Sequence, residues 1–313
     1  MLFRSIELIH LIIMKAGLEL LTKLASSFFV ALSSILISDV SSRCREMASA
    51  LITSILKKLD NIDNIEKYCI SWLKQSSNSL LKRCGFSVYK LIINVYGMGK
   101  NKELDKIASD NILRIIESAK NDADDENTKS EDVEWELLYS SLSTFSSIAS
   151  NIKEKIFEYG KIWQGIIDVL LFPHSWIRLI SCRLVTILLS SEDAYEDYDL
   201  PIIANRLIHQ LRAPSISEDL GTQITKNLVL IAMKWEDQQT KWDEEIANDV
   251  MLSKICGIIR LEQVHSLVSK KSCIKLTAMF IQFTKEDRIL KISEMIISAL
   301  YNYTDSQYAT PDD

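Results

Sequence analysis

The chain has 313 residues, of which 47% are hydrophobic, and a formal net charge of −6. It contains 8 glycines and 4 prolines, whereas average usage would give roughly three times as many glycines and four times as many prolines. Sheet proteins and glycine-rich nucleotide sites need such turn residues, so the composition argues against both classes and favours long helices.

The charge is unevenly distributed along the chain. Residues 1–115 carry a net charge of +6, and the remainder carries −12. A basic first third followed by an acidic remainder is not typical of a general polyanion binder, although it allows a local basic contact.

The first 38 residues are very apolar. Five charged residues interrupt them too often for a membrane span, namely Arg4, Glu7, Lys15, Glu19 and Lys23. A signal peptide is not expected either, because Glu7 and His10 break the apolar region and no clear cleavage site follows. The segment therefore predicts a pair of core helices. Neither helix has the polar outer face that a capping repeat requires, so we expect Met1 to be a cut point within a longer array.

Apolar residues recur at three- and four-residue spacing along most of the chain, which predicts helices. The expected helices are 3–22, 24–37, 42–58, 63–76, 79–96, 102–119, 132–149, 152–171, 175–190, 200–211, 217–234, 240–259, 262–267, 269–283 and 287–301. Asp63 and Glu66 have the spacing of a capping box, Pro201 suits a first helical turn, and Gly97 ends a helix.

Residues 121–132 are acidic and poor in apolar side chains, which predicts a flexible loop insertion. Residues 191–199 form a second, shorter acidic loop. We expect residues 1–303 to be a single HEAT-like array and residues 304–313 to be a disordered tail.

An internal repeat appears when the helices are aligned. Its pattern is an apolar residue, a basic residue, two variable positions, a small residue, two more variable positions and a second apolar residue. The basic and small positions are Arg45 with Ala48, Lys82 with Gly85, and Arg178 with Ser181. The repeats start at residues 44, 81 and 177, and a looser copy starts at residue 135. Once the acidic insertion is discounted, the spacing falls near the HEAT period of ~40–47 residues. The sequence thus predicts an all-α fold, an α-solenoid of HEAT/armadillo-like antiparallel helix pairs.

The pattern has a physical reason. A small residue lets two helices lie close together, and the apolar positions fill the seam between them. The basic residue at the helix start can bond to an acid or a carbonyl group of the adjacent turn, so we interpret Arg45 and Arg178 as structural rather than ligand-binding.

Residues that carry chemistry are scattered. The four histidines form no helical metal pair, and His174 lies in a turn where we expect it to cap or pack. The six cysteines are isolated among apolar residues, as is typical of reduced thiols in the cytosol or nucleus. No nucleophile elbow, Walker loop or dinucleotide fingerprint occurs. We predict no catalytic, metal or cofactor site and no small-molecule substrate.

Tryptophans and lysines are the remaining candidates for partner contacts. Trp163 and Trp176 lie in apolar surroundings, which favours the core. Trp235 and Trp242 flank a polar run, so packing on their own helix pair and anchoring a partner both stay open. Four basic residues, Lys57, Lys58, Lys82 and Arg83, are either a solvated helix face or the phosphate contacts of a bound RNA.

The run LLFPHSWIRLISCRLVTILLS, residues 170–190, resembles a segment of the very large HEAT-repeat proteins of the small-subunit processome. This family is called U-three protein twenty in yeast and down-regulated in metastasis in animals. Residues 42–48 and 133–139 are also similar to its C-terminal region, and the resemblance extends to about residue 300.

The resemblance implies a nucleolar scaffold that associates with the U3 snoRNP and is needed for 18S rRNA maturation and small ribosomal subunit assembly. Its implied partners are processome proteins, and pre-rRNA or U3 RNA through backbone contacts; no membrane and no catalytic residue is implied. Two alternatives stay open. One is a generic HEAT adaptor, such as a nuclear transport receptor or a phosphatase scaffold. The other is a helical enzyme, which would require a pocket where polar groups converge.

Overall fold

The computed structural model of the chain describes residues 2–38, 40–75, 77–124, 134–152, 158–191, 198–213, 216–237, 252–259, 267–282 and 289–304. The described residues form helices and short connections, with no β-strand among them. The chain divides into two compact units, Met1–Lys155 and Ile156–Asp313.

The first unit is a two-layer stack of helix pairs. Its helices are α1 (Leu2–Lys15), α2 (Leu18–Ile37), α3 (Ser42–Lys58), α4 (Asp63–Lys74), α5 (Ser79–Tyr96), α6 (Lys102–Asp124) and α7 (Trp135–Asn151). Consecutive helices pair as α2 with α3, α4 with α5, and α6 with α7. Helix α5 packs against both α3 and α7 in one layer, α4 packs against α2 and α6 in the other, and α1 lies against α3.

The second unit repeats this arrangement. Its helices are α8 (Gly160–Asp168), α9 (Ser175–Leu189), α10 (Leu200–Leu211), α11 (Glu218–Asp237), α12 (252–259), α13 (Leu267–Gln282) and α14 (Ile289–Thr304). Helix α8 packs on α9 and α10 on α11, while α11 lies between α9 and α13. A short 3-10 turn, Val169–Leu171, connects α8 to α9 and also contacts α10. The predicted all-α fold of HEAT-like helix pairs is confirmed, and a single array over 1–303 stays a prediction.

Helix boundaries agree with the prediction where the sequence carries a capping residue. Helix α5 covers 79–96 as predicted: the Asn78 side chain accepts a hydrogen bond from the backbone N–H of Leu81, and Gly97, with φ of +77°, ends the helix. Helix α10 covers 200–211 as predicted, because Asp199 caps it and Pro201 stands in its first turn.

Several predictions at helix ends are wrong. The first two helices separate at Gly17, which has extended backbone angles, instead of after residue 22. Asp63 does not cap α4; its backbone N–H instead donates to Oδ1 of Asn61 at 2.7 Å. Helix α6 continues to Asp124, so the first residues of the predicted acidic insertion are helical. Thr304 is likewise helical, and the rest of that insertion and of the predicted tail, 125–132 and 305–313, lies outside the described residues.

Helix α2 is long and apolar enough to cross a membrane if only length and composition are considered, with 20 residues and a mean hydropathy of 1.9. In the structure it is a core helix of the first unit. It buries one side against α3 and α5, and Leu21, Ala25, Phe29 and Leu32 are 0–3% exposed. Their spacing of three and four residues is that of a helix facing a protein core, which accounts for the apolar residues on that side.

Candidate functional site

The basic position of the repeat lies at the turn that enters its helix. Nη1 of Arg45 donates to the carbonyl oxygen of Val40 at 2.6 Å and to a second carbonyl oxygen of the same turn at 3.3 Å. Nη1 of Arg178 makes the matching bonds, to the carbonyl oxygen of Pro173 at 3.0 Å and to that of the preceding residue at 3.3 Å. Each arginine is the fourth residue of its helix. These guanidinium groups hold their own turns through charge-assisted hydrogen bonds.

The small position of the repeat is buried in all three close copies. Ala48 and Ser181 are both 0% exposed. At Gly85, an added Cβ atom would lie 2.9 Å from Cγ of Leu73, and the Cys69 thiol donates to the Gly85 carbonyl oxygen at 3.2 Å. The absence of a side chain at Gly85 therefore lets α5 approach α4 within one helix pair.

The structure separates the two basic pairs proposed as phosphate contacts. Lys57 and Lys58 end α3, whereas Lys82 and Arg83 lie near the start of α5. The Tyr96 hydroxyl at the end of α5 donates to a carbonyl group near the end of α3, so the two helices run parallel. At ~1.5 Å rise per residue, the two pairs lie about 20 Å apart along the layer. They do not form one basic patch.

Lys58 and Arg83 are bonded to identified partners in the protein. Lys58 Nζ donates to the carbonyl oxygen of Ile13 at the end of α1, at 2.8 Å. Arg83 forms an ion pair with Glu136 of α7. Lys57 is exposed and makes no ion pair within the described part of the chain.

A groove of about 570 Å³ opens where α4, α5, α6 and α7 meet in the first unit. Its aliphatic lining consists of Leu73, Ile107, Ile115, Ala119, Leu137 and Leu138. Its polar lining consists of Lys74, Lys82, Asp110, Asn111, Arg114, Ser118 and Glu134. Of these, only Lys82 was a candidate from the sequence. The groove draws residues from four helices, so no local pattern could have indicated it.

The cysteines are poor candidates for nucleophilic chemistry. All six are buried and unpaired with one another. Desolvation raises the pKa of Cys84 to about 11 and that of Cys182 to about 12, and it also raises the pKa values of Cys69 and Cys273. Such thiols stay protonated at neutral pH and are weak nucleophiles. Among the described residues, no three His, Cys, Asp or Glu side chains are grouped so that they could hold a metal ion.

His174 and Trp176 start α9. His174 caps the helix as expected, because its Nδ1 atom accepts from the backbone N–H of Trp176 at 3.3 Å. Desolvation, with Arg178 nearby, lowers the pKa of His174. Trp163 is 0% exposed, as predicted, but the prediction that Trp176 is a core residue is wrong, since it is 55% exposed. The neighbouring Ile177 takes the inward position of this first turn, at 0% exposed, which leaves Trp176 outside. The side chains of Trp235 and Trp242 lie outside the described residues.

Comparisons with known proteins agree with one another. Residues 101–306 match the family described as "Small subunit processome component 20 homolog, C-terminal". The chain is 38% identical over 97% of its length to "U3 small nucleolar RNA-associated protein 20" of Saccharomyces cerevisiae. It is 26% identical, again over 97% of its length, to the protein of the same name in Schizosaccharomyces pombe. The chain spans 13% of the length of each of these two relatives.

Proposed function

Because the chain belongs to the small subunit processome component 20 family, we propose that it is a non-catalytic scaffold of the small-subunit processome, associated with the U3 snoRNP. In this role it is needed for 18S rRNA maturation and small ribosomal subunit assembly, and it resides in the nucleolus. The observation that carries the proposal is the 38% identity, across 97% of this chain, to a relative named for its association with U3 small nucleolar RNA.

The structure supports a scaffold role through its architecture. Stacked helix pairs present extended surfaces to partners. Arg45 and Arg178 of the repeat are bonded to the protein's own carbonyl groups, so they stabilise the helix stack and are not occupied with a ligand. We propose that the partners are processome proteins.

We propose that exposed lysines make direct contact with the phosphate groups of pre-rRNA or U3 RNA. Lys57 is the best placed of the four candidate cations, because it is exposed and makes no ion pair within the described part of the chain. The other three interact within the protein. Replacing Lys57 with Glu should weaken binding to all RNA sequences equally. It should also reduce the slope of log K against log salt concentration by about one, because one counterion fewer is released on binding.

Affinity purification of the tagged chain from cells tests the proposal. Recovery of U3 RNA with processome proteins is expected, together with loss of mature 18S rRNA when the protein is depleted. Recovery of nuclear transport factors or phosphatase subunits without U3 RNA would overturn the proposal in favour of a HEAT adaptor of another system.

A further inference from the structure

Helix α1 carries apolar side chains on two opposite sides. Ile6 and Ile13 are 0% exposed, on the side of α1 that packs against α3. Leu8, Leu11 and Met14 are 54–59% exposed. At ~3.6 residues per turn, Leu8 and Met14 lie within about 60° of Leu11, on the side away from the two isoleucines. An exposed apolar stripe of this kind marks a surface that another molecule covers.

Three charged residues share the exposed side of α1, namely Arg4, Glu7 and Lys15. None of them makes an ion pair within the part of the chain that the structure describes. A covering surface that was purely apolar would bury these charges without partners, which is unfavourable. The occupant must therefore bring apolar groups for the stripe and opposite charges for Glu7 and Lys15.

The exposed side of α1 is complementary to a second copy of itself. When two copies of α1 pack antiparallel with their Leu11 side chains in contact, Leu8 of each copy lies level with Met14 of the other, because both stand three residues from Leu11. Glu7 of each copy lies level with Lys15 of the other, because both stand four residues from Leu11. A single register thus provides apolar contacts and two ion pairs, and a twofold axis buries the same patch on both copies.

We propose that the exposed side of α1 is the interface of a homodimer, in which a second copy of this chain packs its own α1 antiparallel across a twofold axis. The apolar stripe supplies the buried area, while the ion pairs of Glu7 with Lys15 set the direction and the register of the two helices. Arg4 lies level with residue 18 of the other copy, beyond the end of α1 at Lys15, so it stays at the solvent-exposed edge of the contact.

The charges of α1 favour a second copy over a further helix pair of the same array. Helix α5, which packs between α3 and α7, shows the composition of a helix that is covered on both sides by the array. Its buried residues include Phe86, Val88 and Ile92, and none of them is charged. The exposed side of α1 differs from α5 at Glu7 and Lys15, for which a second copy supplies the opposite charges. The proposed dimer does not depend on the processome assignment.

Sedimentation equilibrium of the full 313-residue chain tests the proposal. We expect the average mass to rise with concentration from 35.7 kDa towards twice that value. Glu7→Lys and Lys15→Glu each bring like charges together at two places, so each should raise the Kd of self-association by about tenfold. An equimolar mixture of the two variants should recover the parent affinity, because every charge again faces its opposite. The double variant Glu7→Lys/Lys15→Glu should recover it for the same reason.

Leu11→Glu places two carboxylates at the centre of the contact and should abolish self-association. Leu80→Glu is the matched control, since Leu80 is 52% exposed near the start of α5 and its replacement should leave self-association unchanged. Both leucines are exposed, so both variants are expected to fold. The proposal would be overturned by a mass of 35.7 kDa at every concentration, by association that Leu11→Glu retains, or by a charge-swap mixture that stays monomeric.

The Saccharomyces cerevisiae relative provides a test of the competing occupant, a preceding helix pair of a longer array. The probe is the fragment of that relative that stands immediately before its matched segment. If the chain stayed monomeric and bound this fragment, and if Leu11→Glu abolished that binding, a further repeat would cover α1 and the homodimer would be excluded. We expect no such binding by the parent chain.

Discussion

The backbone of Gly85 approaches the side chain of Leu73 so closely that a Cβ atom at Gly85 would lie 2.9 Å from the Leu73 Cγ atom. We expect Gly85→Ala to lower the free energy of unfolding by about 1 kcal/mol. Overpacking in a filled core costs ~1–3 kcal/mol, and the better helix propensity of alanine returns at most about 1 kcal/mol. Urea unfolding followed by circular dichroism measures the difference.

Gly257 provides the control for this substitution. It lies within α12, and a Cβ atom there would meet nothing within 4 Å. Gly257→Ala should therefore raise the free energy of unfolding by about 0.5–1 kcal/mol through helix propensity alone. A stabilising effect of Gly85→Ala would show that α5 does not depend on this close approach.

The turn before α9 depends on Arg178. Arg178→Met removes the bonds to two carbonyl oxygens while keeping most of the aliphatic stem, and it should cost about 1–2 kcal/mol. Arg178→Lys should recover part of this loss. Arg183→Met is the control, because Arg183 is exposed on the same helix, and it should stay within about 0.5 kcal/mol of the parent. Thermal unfolding of the three variants provides the comparison, and equal effects of the two Met substitutions would contradict the role of Arg178.

A buried polar cluster fixes the contact between α9 and α11. Thr186 Oγ1 lies 2.5 Å from Asn227 Oδ1, and Asn227 Nδ2 donates to the Cys182 carbonyl oxygen at 2.8 Å. Thr186→Val should lower the free energy of unfolding by about 1–3 kcal/mol, because the buried Asn227 Oδ1 loses its donor. Asn227→Leu should cost about 1 kcal/mol, because its buried hydrogen bonds are lost while the Thr186 hydroxyl keeps the Cys182 carbonyl oxygen as an acceptor. The double variant should lose about 1 kcal/mol less than the sum of the single losses. If the loss of the double variant, measured by urea unfolding, equalled the sum of the two single losses, the two side chains would act independently.

His174 predicts a specific pH dependence. Its pKa in the folded protein is lowered from 6.5 by desolvation, with Arg178 as the smaller cause. The unfolded chain therefore binds more protons as pH falls below 6.5, so the contribution of His174 to stability is present at neutral pH and is lost on acidification. His174→Asn keeps a capping oxygen but does not titrate. Between about pH 7 and pH 5 the parent should lose more stability than this variant, and parallel pH profiles of the unfolding midpoint would exclude the effect.

The sequence predicts helices well where local capping chemistry is explicit, as at Asn78 and Gly97 around α5. The prediction of a helix boundary is wrong where apolar residues keep their helical spacing across the end of a helix. At Gly17, the apolar pattern of the first helix continues into the second. The loose repeat at residue 135 shows the same limit, since Tyr139, at its small position, is half-buried, whereas Ser141 of the same helix is 0% exposed. The apolar spacing alone does not identify which side of α7 faces α5.

The candidate surfaces were harder to predict than the helices. The groove residue Arg114 lies on a helix whose local sequence gives no sign of a site, and its neighbours across the groove come from residues far away in the chain. The apolar neighbours of Trp176 predict a core residue, but near a helix start the inward direction depends on the packing of the preceding turn. Both features depend on non-local geometry, which a single sequence does not contain.

The turn contacts of Arg45 and Arg178 also affect how the protein folds. Each guanidinium bonds to a carbonyl group five residues earlier in the chain. Contacts this local lower the contact order and form without waiting for distant segments. During synthesis, which proceeds from the N-terminus, the hairpins α2–α3 and α8–α9 can each close this turn as soon as the next few residues leave the ribosome. For a protein built by repeating such hairpins, this limits the time for which apolar seams remain open to aggregation.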